Sequence, residues 1–431
     1  MRRALALLPL ALTAVLALPA AAPAAKRMEI AVQDDPVFVS QSYYDRERAL
    51  QQARDMGVSR LRINVQWATA VRGSEQKVAP QPLSYDWARF DSAVDAAARY
   101  GIRVQLTLTG PAPAFGAANR KIGVFGPKAQ PFGDFARAAA THFKGRVDRY
   151  SIWNEPNYVS WLEPQGIAAA LYRELYVAAY TQIKRVDPRA QVLIGETAPY
   201  AIRKRAIAPL QFLRDVTCTT GATGRGGGSG VDVQVDPNAG TARGTDPLLA
   251  AAAAKPPKLT RGPCKPLRAD GFAHHPYDYR HKPTFAYKGN DNATLGSLGR
   301  LTGTLTSLAR VRALSTPKGR SLPVYLTEYG YFQSGKYALG ESARAAYLKQ
   351  AYTLAQRDRS VAQMLQLVFV TPPASFPGGY FDLSIVRADG AATPPYESLR
   401  GWAQAAGKRG QVALPGAPIP LPPAPSERRP R

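Results

Sequence analysis

Cysteine is nearly absent from this chain of 431 residues, with only Cys218 and Cys264. That excludes a small disulfide-rich scaffold and any zinc site built from four thiolates. Histidine is almost as scarce. His142, His274, His275 and His281 are the whole supply, which leaves little material for a multi-metal centre. Past the N-terminal stretch there is no run of about 18 uninterrupted apolar residues, so no spanning helix is expected and the mature chain should be soluble. Acidic residues are in short supply: 31 Asp and Glu face 56 Lys and Arg, a formal net charge of +25. Such a balance invites a nucleic-acid reading. The arginines are scattered through predicted helices and loops, however, and form no recognisable nucleic-acid module, so no nucleic-acid partner is expected. Apolar residues are plentiful at 45 %, enough for a large core and too many for a disordered chain.

The two ends differ from the middle. Met1-Arg2-Arg3 is a short basic start, residues 4–18 are apolar apart from Thr13, and Pro19 to Ala25 are small. This is the pattern of a secretory signal peptide over residues 1–24, with the mature start near Ala25 and an extracellular destination. In an oxidising compartment Cys218 and Cys264, which flank one Gly-rich insertion, are expected to form a disulfide. Residues 407–431 are rich in proline and end in Ser-Glu-Arg-Arg-Pro-Arg. They read as a disordered basic tail that, with the basic surface, can touch an anionic cell envelope.

Between these ends one pattern recurs. β-rich runs occupy 28–32, 60–65, 102–108, 147–153, 191–194, 271–275, 323–327 and 364–370. Amphipathic helices follow them at 45–56, 85–100, 132–144, 166–186, 210–216, 295–313, 342–357 and 396–405. Eight strand–helix units predict an α/β chain folded as a (β/α)8 TIM barrel, one domain over residues 25–406. The rival is a doubly wound open sheet. Its Gly-rich first turn is missing, since Gln33-Asp34-Asp35-Pro36 follows the first strand. Residues 217–266 are too long for an ordinary loop and read as a disulfide-clipped insertion after strand five, placed over the catalytic face. A monomer is expected.

Barrel chemistry sits where strands end. Glu155, in Trp153-Asn154-Glu155-Pro156-Asn157, closes strand four, and Glu328, in Thr327-Glu328-Tyr329-Gly330, closes strand seven. A carboxylate ending a buried strand is costly unless it is partnered or working. These two motifs resemble the clan A glycoside hydrolases, families 5 and 39 above all, over nearly the whole mature chain. The resemblance implies a secreted retaining β-glycosidase acting on a poly- or oligosaccharide, without cofactor or metal. By match Glu155 is the acid/base and Glu328 the nucleophile.

The same resemblance assigns supporting roles. Asn154 would hydrogen-bond the sugar 2-hydroxyl, and Arg62 would hold the nucleophile as an anion. Arg60 shares a face with Arg62, so register leaves both open; the order Arg-Ile-Asn-Val-Gln-Trp favours Arg62. His275 and Tyr277 match the clan's His-x-Tyr, whose tyrosine touches the nucleophile. Trp67, Trp161 and Phe115 lie just past expected strand ends, as do Tyr158, Tyr200 and Tyr331, and are candidate sugar-stacking rings. Trp87 and Trp402 fall inside helices and are assigned to packing. One departure stands out. Strand eight lacks the tryptophan that floors the clan's sugar site, so Phe369, Phe376 or Tyr380 would have to replace it. That gap keeps a second possibility open, a non-catalytic glycan-binding barrel on the cell surface.

Overall fold

The computed structural model describes residues 27–221, 256–287, 289–377 and 381–425. The expected signal peptide, the middle of the insertion, Tyr380 and the last six residues lie outside them. Eight strands form the centre: β1 (Met28–Gln33), β2 (Arg60–Gln66), β3 (Arg103–Thr109), β4 (Arg149–Ile152), β5 (Gln191–Thr197), β6 (Gly271–His274), β7 (Val324–Leu326) and β8 (Val361–Leu367). Each runs parallel to its neighbours in chain order, and β8 pairs back onto β1 with Ile30 opposite Met364. The sheet is therefore a closed barrel with no free edge between these strands.

The helices outside it are α1 (Arg46–Met56), α2 (Ala88–Arg99), α3 (Ala129–His142), α4 (Ala168–Val186), α5 (Pro209–Val216), α6 (Leu298–Arg310), α7 (Glu341–Arg357) and α8 (Pro394–Lys408). Local chemistry sets their limits. Asp45 accepts a hydrogen bond from the Arg48 amide to start α1, and Gly57, at φ 98°, ends it in the left-handed region. Ile30, Val32, Leu61, Ile63, Leu106, Leu108 and Ile152 face outward from the strands and join the helices in one buried cluster. Among the described residues no helix is long and apolar enough to cross a membrane.

The alternate strand residues point into the barrel, and many are polar. At the end where the strands begin, Arg60 lies between Glu29 at 2.9 Å and Asp148 at 2.5 Å. Arg149 reaches Glu29 at 2.5 Å and Gln363 at 2.9 Å. Burial opposes the charge of Glu29, but Arg60 and Arg149 hold its carboxyl down at about 2. Leu193, Ala273, Tyr325 and Ala362 form a small apolar plug nearby. Arg60 thus belongs to the far end of the barrel, which separates it from Arg62.

Two expectations about the periphery change. The insertion leaves the chain after α5, not directly after β5, so its neck adjoins the start of β6 on the face opposite the strand ends. Helices in this fold run antiparallel to the strands, so a helix-to-strand connection leaves and rejoins the barrel on the face opposite the strand ends. The neck is closed twice, by pairing of Thr219 with Arg261 and by the Cys218–Cys264 disulfide, whose Cα atoms are 5.9 Å apart. The Pro-rich segment, expected as a disordered tail, is docked as far as it is described. Val412 pairs with Met28, the Ile419 amide donates to the Ala98 carbonyl at 2.9 Å, and Arg54 holds the Gly416 carbonyl at 2.9 Å. Ile419 and Leu421 line the barrel's lower end beside Val147 and Ala190. A proline-stiffened chain has little conformational entropy to lose, so two apolar anchors and a few backbone bonds suffice.

Because the disulfide spans 46 residues, its loss in Cys218→Ser is expected to cost about 2–4 kcal/mol. The denaturant midpoint measures it. An unchanged midpoint would mean that the bridge does not restrict the unfolded chain.

Candidate active site

The ends of β4, β5, β6 and β7 converge at the barrel mouth. After β4 the chain turns sharply: Trp153 has φ 68° and Glu155 φ 37°, both in the left-handed region. Each such residue costs about 1–3 kcal/mol and persists only when its surroundings fix it. The fully buried Trp153 ring supplies part of that restraint, its indole N–H donating to the Trp161 carbonyl at 2.8 Å. The Glu155 amide donates to the Glu196 carbonyl at 2.8 Å.

Arg62 is fully buried and organises this end. Its Nη1 donates to Glu328 Oε1 at 2.8 Å and to Gln33 Oε1. Its Nη2 faces Asn154 Oδ1 at 2.9 Å and Glu196 Oε2 at 3.2 Å, and its Nε donates to Thr107 Oγ1 at 2.9 Å. A guanidinium only donates, so the Asn154 carbonyl must face it and the Asn154 NH2 group points elsewhere. Tyr277 Oη donates to Glu328 Oε2 at 3.1 Å.

His275 lies between three carboxylates. Nδ1 is 3.0 Å from Glu155 Oε1 and 3.4 Å from Glu328 Oε2, and Nε2 is 2.9 Å from Glu196 Oε2. Burial alone would strip its proton, but Glu328, Glu155 and Glu196 outweigh burial and raise its pKa to about 10. Its neighbour His274 faces outward, between Thr197 Oγ1 at 2.8 Å and the Ala293 carbonyl at 2.6 Å, and burial lowers it to about 4. The two histidines therefore share no ligand. One carboxylate oxygen each of Glu155 and Glu328 and one nitrogen of His275 lie within 4.8 Å of one another.

Glu196 was not singled out in the sequence. It is fully buried, accepts from Thr327 Oγ1 at 2.5 Å, and carries φ 50° in a bulge of β5. Gly195 makes the bulge possible: its φ is 117°, and a Cβ there would lie 2.4 Å from the Ala273 carbonyl oxygen. Burial opposes the Glu196 charge, but Arg62 and then His275 hold its carboxyl down at about 2. Asp35 was also overlooked. It accepts from Gln33 Nε2 at 3.2 Å, and burial raises it to about 7 despite the nearby Arg62.

The structure thus brings together Glu155, Glu328, Asn154, Arg62, His275 and Tyr277. It does not bring Trp67 and Phe115 to the mouth, which corrects the expectation of two stacking rings there. Trp67 has no exposed surface and packs against Phe115, Phe132 and Phe135 at 6.1, 5.5 and 6.0 Å between ring centroids. Position just past a strand end does not fix direction: Trp67 turns down onto Phe132 and Phe135 of α3, and Phe115 is buried against Trp67. Tyr331 is likewise buried, donating to the His281 carbonyl. Trp161, Tyr158 and Tyr200 keep part of their surface exposed.

Phe369 belongs to the core against Phe38, and Phe376 packs on Tyr43. Phe381, which was not proposed, stands edge-on to Tyr277 and Tyr279 at 6.5 and 6.0 Å. It is the ring that the loop after β8 places beside Tyr277, the partner of Glu328.

No family model matches this chain, and no curated protein matches it with significance. Solved structures do. A family 39 glycoside hydrolase from the gut symbiont Bacteroides cellulosilyticus superposes with a TM-score of 0.59 at 17 % identity, over 88 % of this chain and 64 % of that one. The family 39 enzyme of Xanthomonas axonopodis pv. citri gives 0.54 at 18 % identity, over 94 % and 70 %. An exo-β-1,4-mannosidase from an Opitutaceae bacterium gives 0.52 at 14 % identity, over 90 % and 63 %. The chain spans just under two thirds of the length of the first of these. What it shares with them is the (β/α)8 barrel fold.

The ionisation of the site sets a pH dependence. The folded pKa of His275, about 10, lies above its ordinary value of 6.5. Its contribution to stability is therefore complete below about pH 6.5 and is lost as pH rises through 10. Glu196, held at about 2 against an ordinary 4.5, contributes fully above 4.5 and loses that as pH falls through 2. The denaturant midpoint is expected to be highest between about pH 4.5 and 6.5 and to decline toward pH 10. A midpoint that rises over the alkaline half would contradict a charged His275.

Proposed function

We propose that this protein is a secreted retaining β-glycosidase that cleaves a poly- or oligosaccharide, with Glu155 as acid/base and Glu328 as nucleophile. One observation carries the reading: two carboxylate oxygens, one from each of two glutamates at separate strand ends, lie within 4.8 Å of one another, and a buried arginine grips one of the two carboxyls. Retaining hydrolysis uses carboxyl groups about 5–5.5 Å apart, whereas inversion needs room for a water and about 6.5–9.5 Å.

The geometry suits a double displacement. Arg62 and Tyr277 hold the Glu328 carboxyl in place, so one of its oxygens can attack the anomeric carbon. Glu155 gives its proton to the leaving oxygen as that bond breaks. The product is a glycosyl ester on Glu328 and a free sugar or aglycone. Glu155, now a carboxylate, takes a proton from water, the resulting hydroxide attacks the anomeric carbon, and Glu328 leaves. Asn154, its carbonyl held by Arg62, presents its NH2 group to a sugar hydroxyl. Trp161, Tyr158, Tyr200 and Phe381 are the rings available for stacking. A barrel that only bound glycans would gain nothing from holding two carboxylates this close, because their repulsion is costly.

Export belongs to the same reading, supported by the disulfide and the basic, apolar N-terminal pattern. The mass of protein recovered from culture medium should lack residues 1–24, and retention of that segment would argue against export. For the chemistry, a screen of aryl β-glycosides and polysaccharides should find a substrate for the wild type. Glu328→Ala should then abolish turnover, and Glu155→Ala should lower it by about 10²–10⁴-fold. Turnover unchanged in Glu328→Ala would sink the assignment.

A further inference from the structure

Glu196 is a buried carboxylate at the reacting end to which the double displacement gives no step. Leaving a carboxylate there is expensive, and the compensation falls on Oε2, which meets Arg62, His275 and Thr327, while Oε1 is buried without a hydrogen-bond partner. From β2 comes Arg62, from β4 Ser151, from β6 His275 and from β7 Thr327. Asp35 of the β1 end faces the same Arg62, while His274 turns away toward Thr197 and Ala293. The Glu196 main chain holds Glu155, and its side chain holds the far nitrogen of the ring whose near nitrogen touches both Glu155 and Glu328. An imidazole with carboxylates at both nitrogens is satisfied only when both nitrogens carry protons.

The charges agree with this. Arg62 and His275 supply two positive charges. When Glu155 holds its proton and so does Asp35, whose carboxyl burial raises to about 7, Glu196 and Glu328 supply two negative ones, and the buried group is neutral. Without Glu196 the same group would carry an excess cation, which His275 can relieve by losing its Nε2 proton.

We propose that Glu196 is a positioning residue for the reacting pair: it fixes His275 as an imidazolium whose Nδ1–H is presented to Glu155 and Glu328. The acid/base then gives and takes its proton beside a constant positive charge rather than beside a second titrating group. The effect on rate rests on the glycosidase reading; the ionisation of His275 does not.

Two measurements separate these. NMR of protein carrying labelled histidine, with the His275 signal identified by its loss in His275→Asn, follows protonation directly. In the wild type the ring should remain an imidazolium through pH 8. In Glu196→Gln its midpoint should fall by about one pH unit or more, and Glu196→Asp should recover part of the shift. On a substrate the wild type cleaves, Glu196→Gln should move the whole pH–rate profile to higher pH rather than only scale it down, because the carboxyls lose a neighbouring cation. A His275 that is neutral at pH 7 in the wild type would overturn the proposal, and so would the same midpoint in Glu196→Gln. If Glu196→Gln does not fold, the wild-type titration decides alone. Absence of turnover on any glycoside would defeat the hydrolase reading while leaving the titration to judge Glu196.

Discussion

Arg62 donates hydrogen bonds to Gln33, Thr107, Asn154 and Glu328 and forms an ion pair with Glu196. Those residues belong to β1, β3, the β4 end, β5 and the β7 end. One guanidinium on β2 therefore ties together six of the eight strands at the level where the site forms. A lysine could not do this, having three donors and no planar fork. Burying such a charge is costly, and the cost is offset only because the partners are all in place. The polar lining of the barrel follows from that constraint. A buried cation needs carboxylates, the carboxylates need further donors, and His275, Thr327 and Tyr277 are the donors present.

The same constraint links fold to function. In the proposed reaction Glu328 can serve as a nucleophile because Arg62 and Tyr277 hold its carboxyl in place. Asn154 is useful as a donor because Arg62 occupies its carbonyl. At the opposite end, Arg60 and Arg149 perform an analogous structural role with Glu29 and Asp148 and take no part in the site. Some of the strong positive charge of the chain is therefore internal and locally balanced.

The barrel was legible in the sequence because its signal is repeated: eight β-rich runs, each followed by an amphipathic helix. Glu155, Glu328, Asn154, Arg62, His275 and Tyr277 were legible because each ends or lines a strand in a motif of recognisable order. Glu196 was not. Gly195 looks like a strand terminator, and the strand was ended at residue 194. In the structure the glycine makes a bulge and β5 continues to Thr197, carrying Glu196 into the barrel. Trp67 and Phe115 failed for a different reason. Sequence position places a ring near a strand end but does not say whether it turns up to the mouth or down onto a helix. The Pro-rich segment misled because its composition reports the backbone conformation correctly, as extended, but not the surface it docks on.

The central claim is that Glu328 attacks the sugar. The most direct test is to incubate the protein with a 2-deoxy-2-fluoro glycoside carrying a good leaving group, matched to a substrate it cleaves, and to map the adduct by peptide mass spectrometry. The account predicts one added sugar on the peptide that contains Glu328, with loss of activity in step with labelling. Labelling of a different carboxylate, or inactivation-free turnover with no adduct, would contradict it.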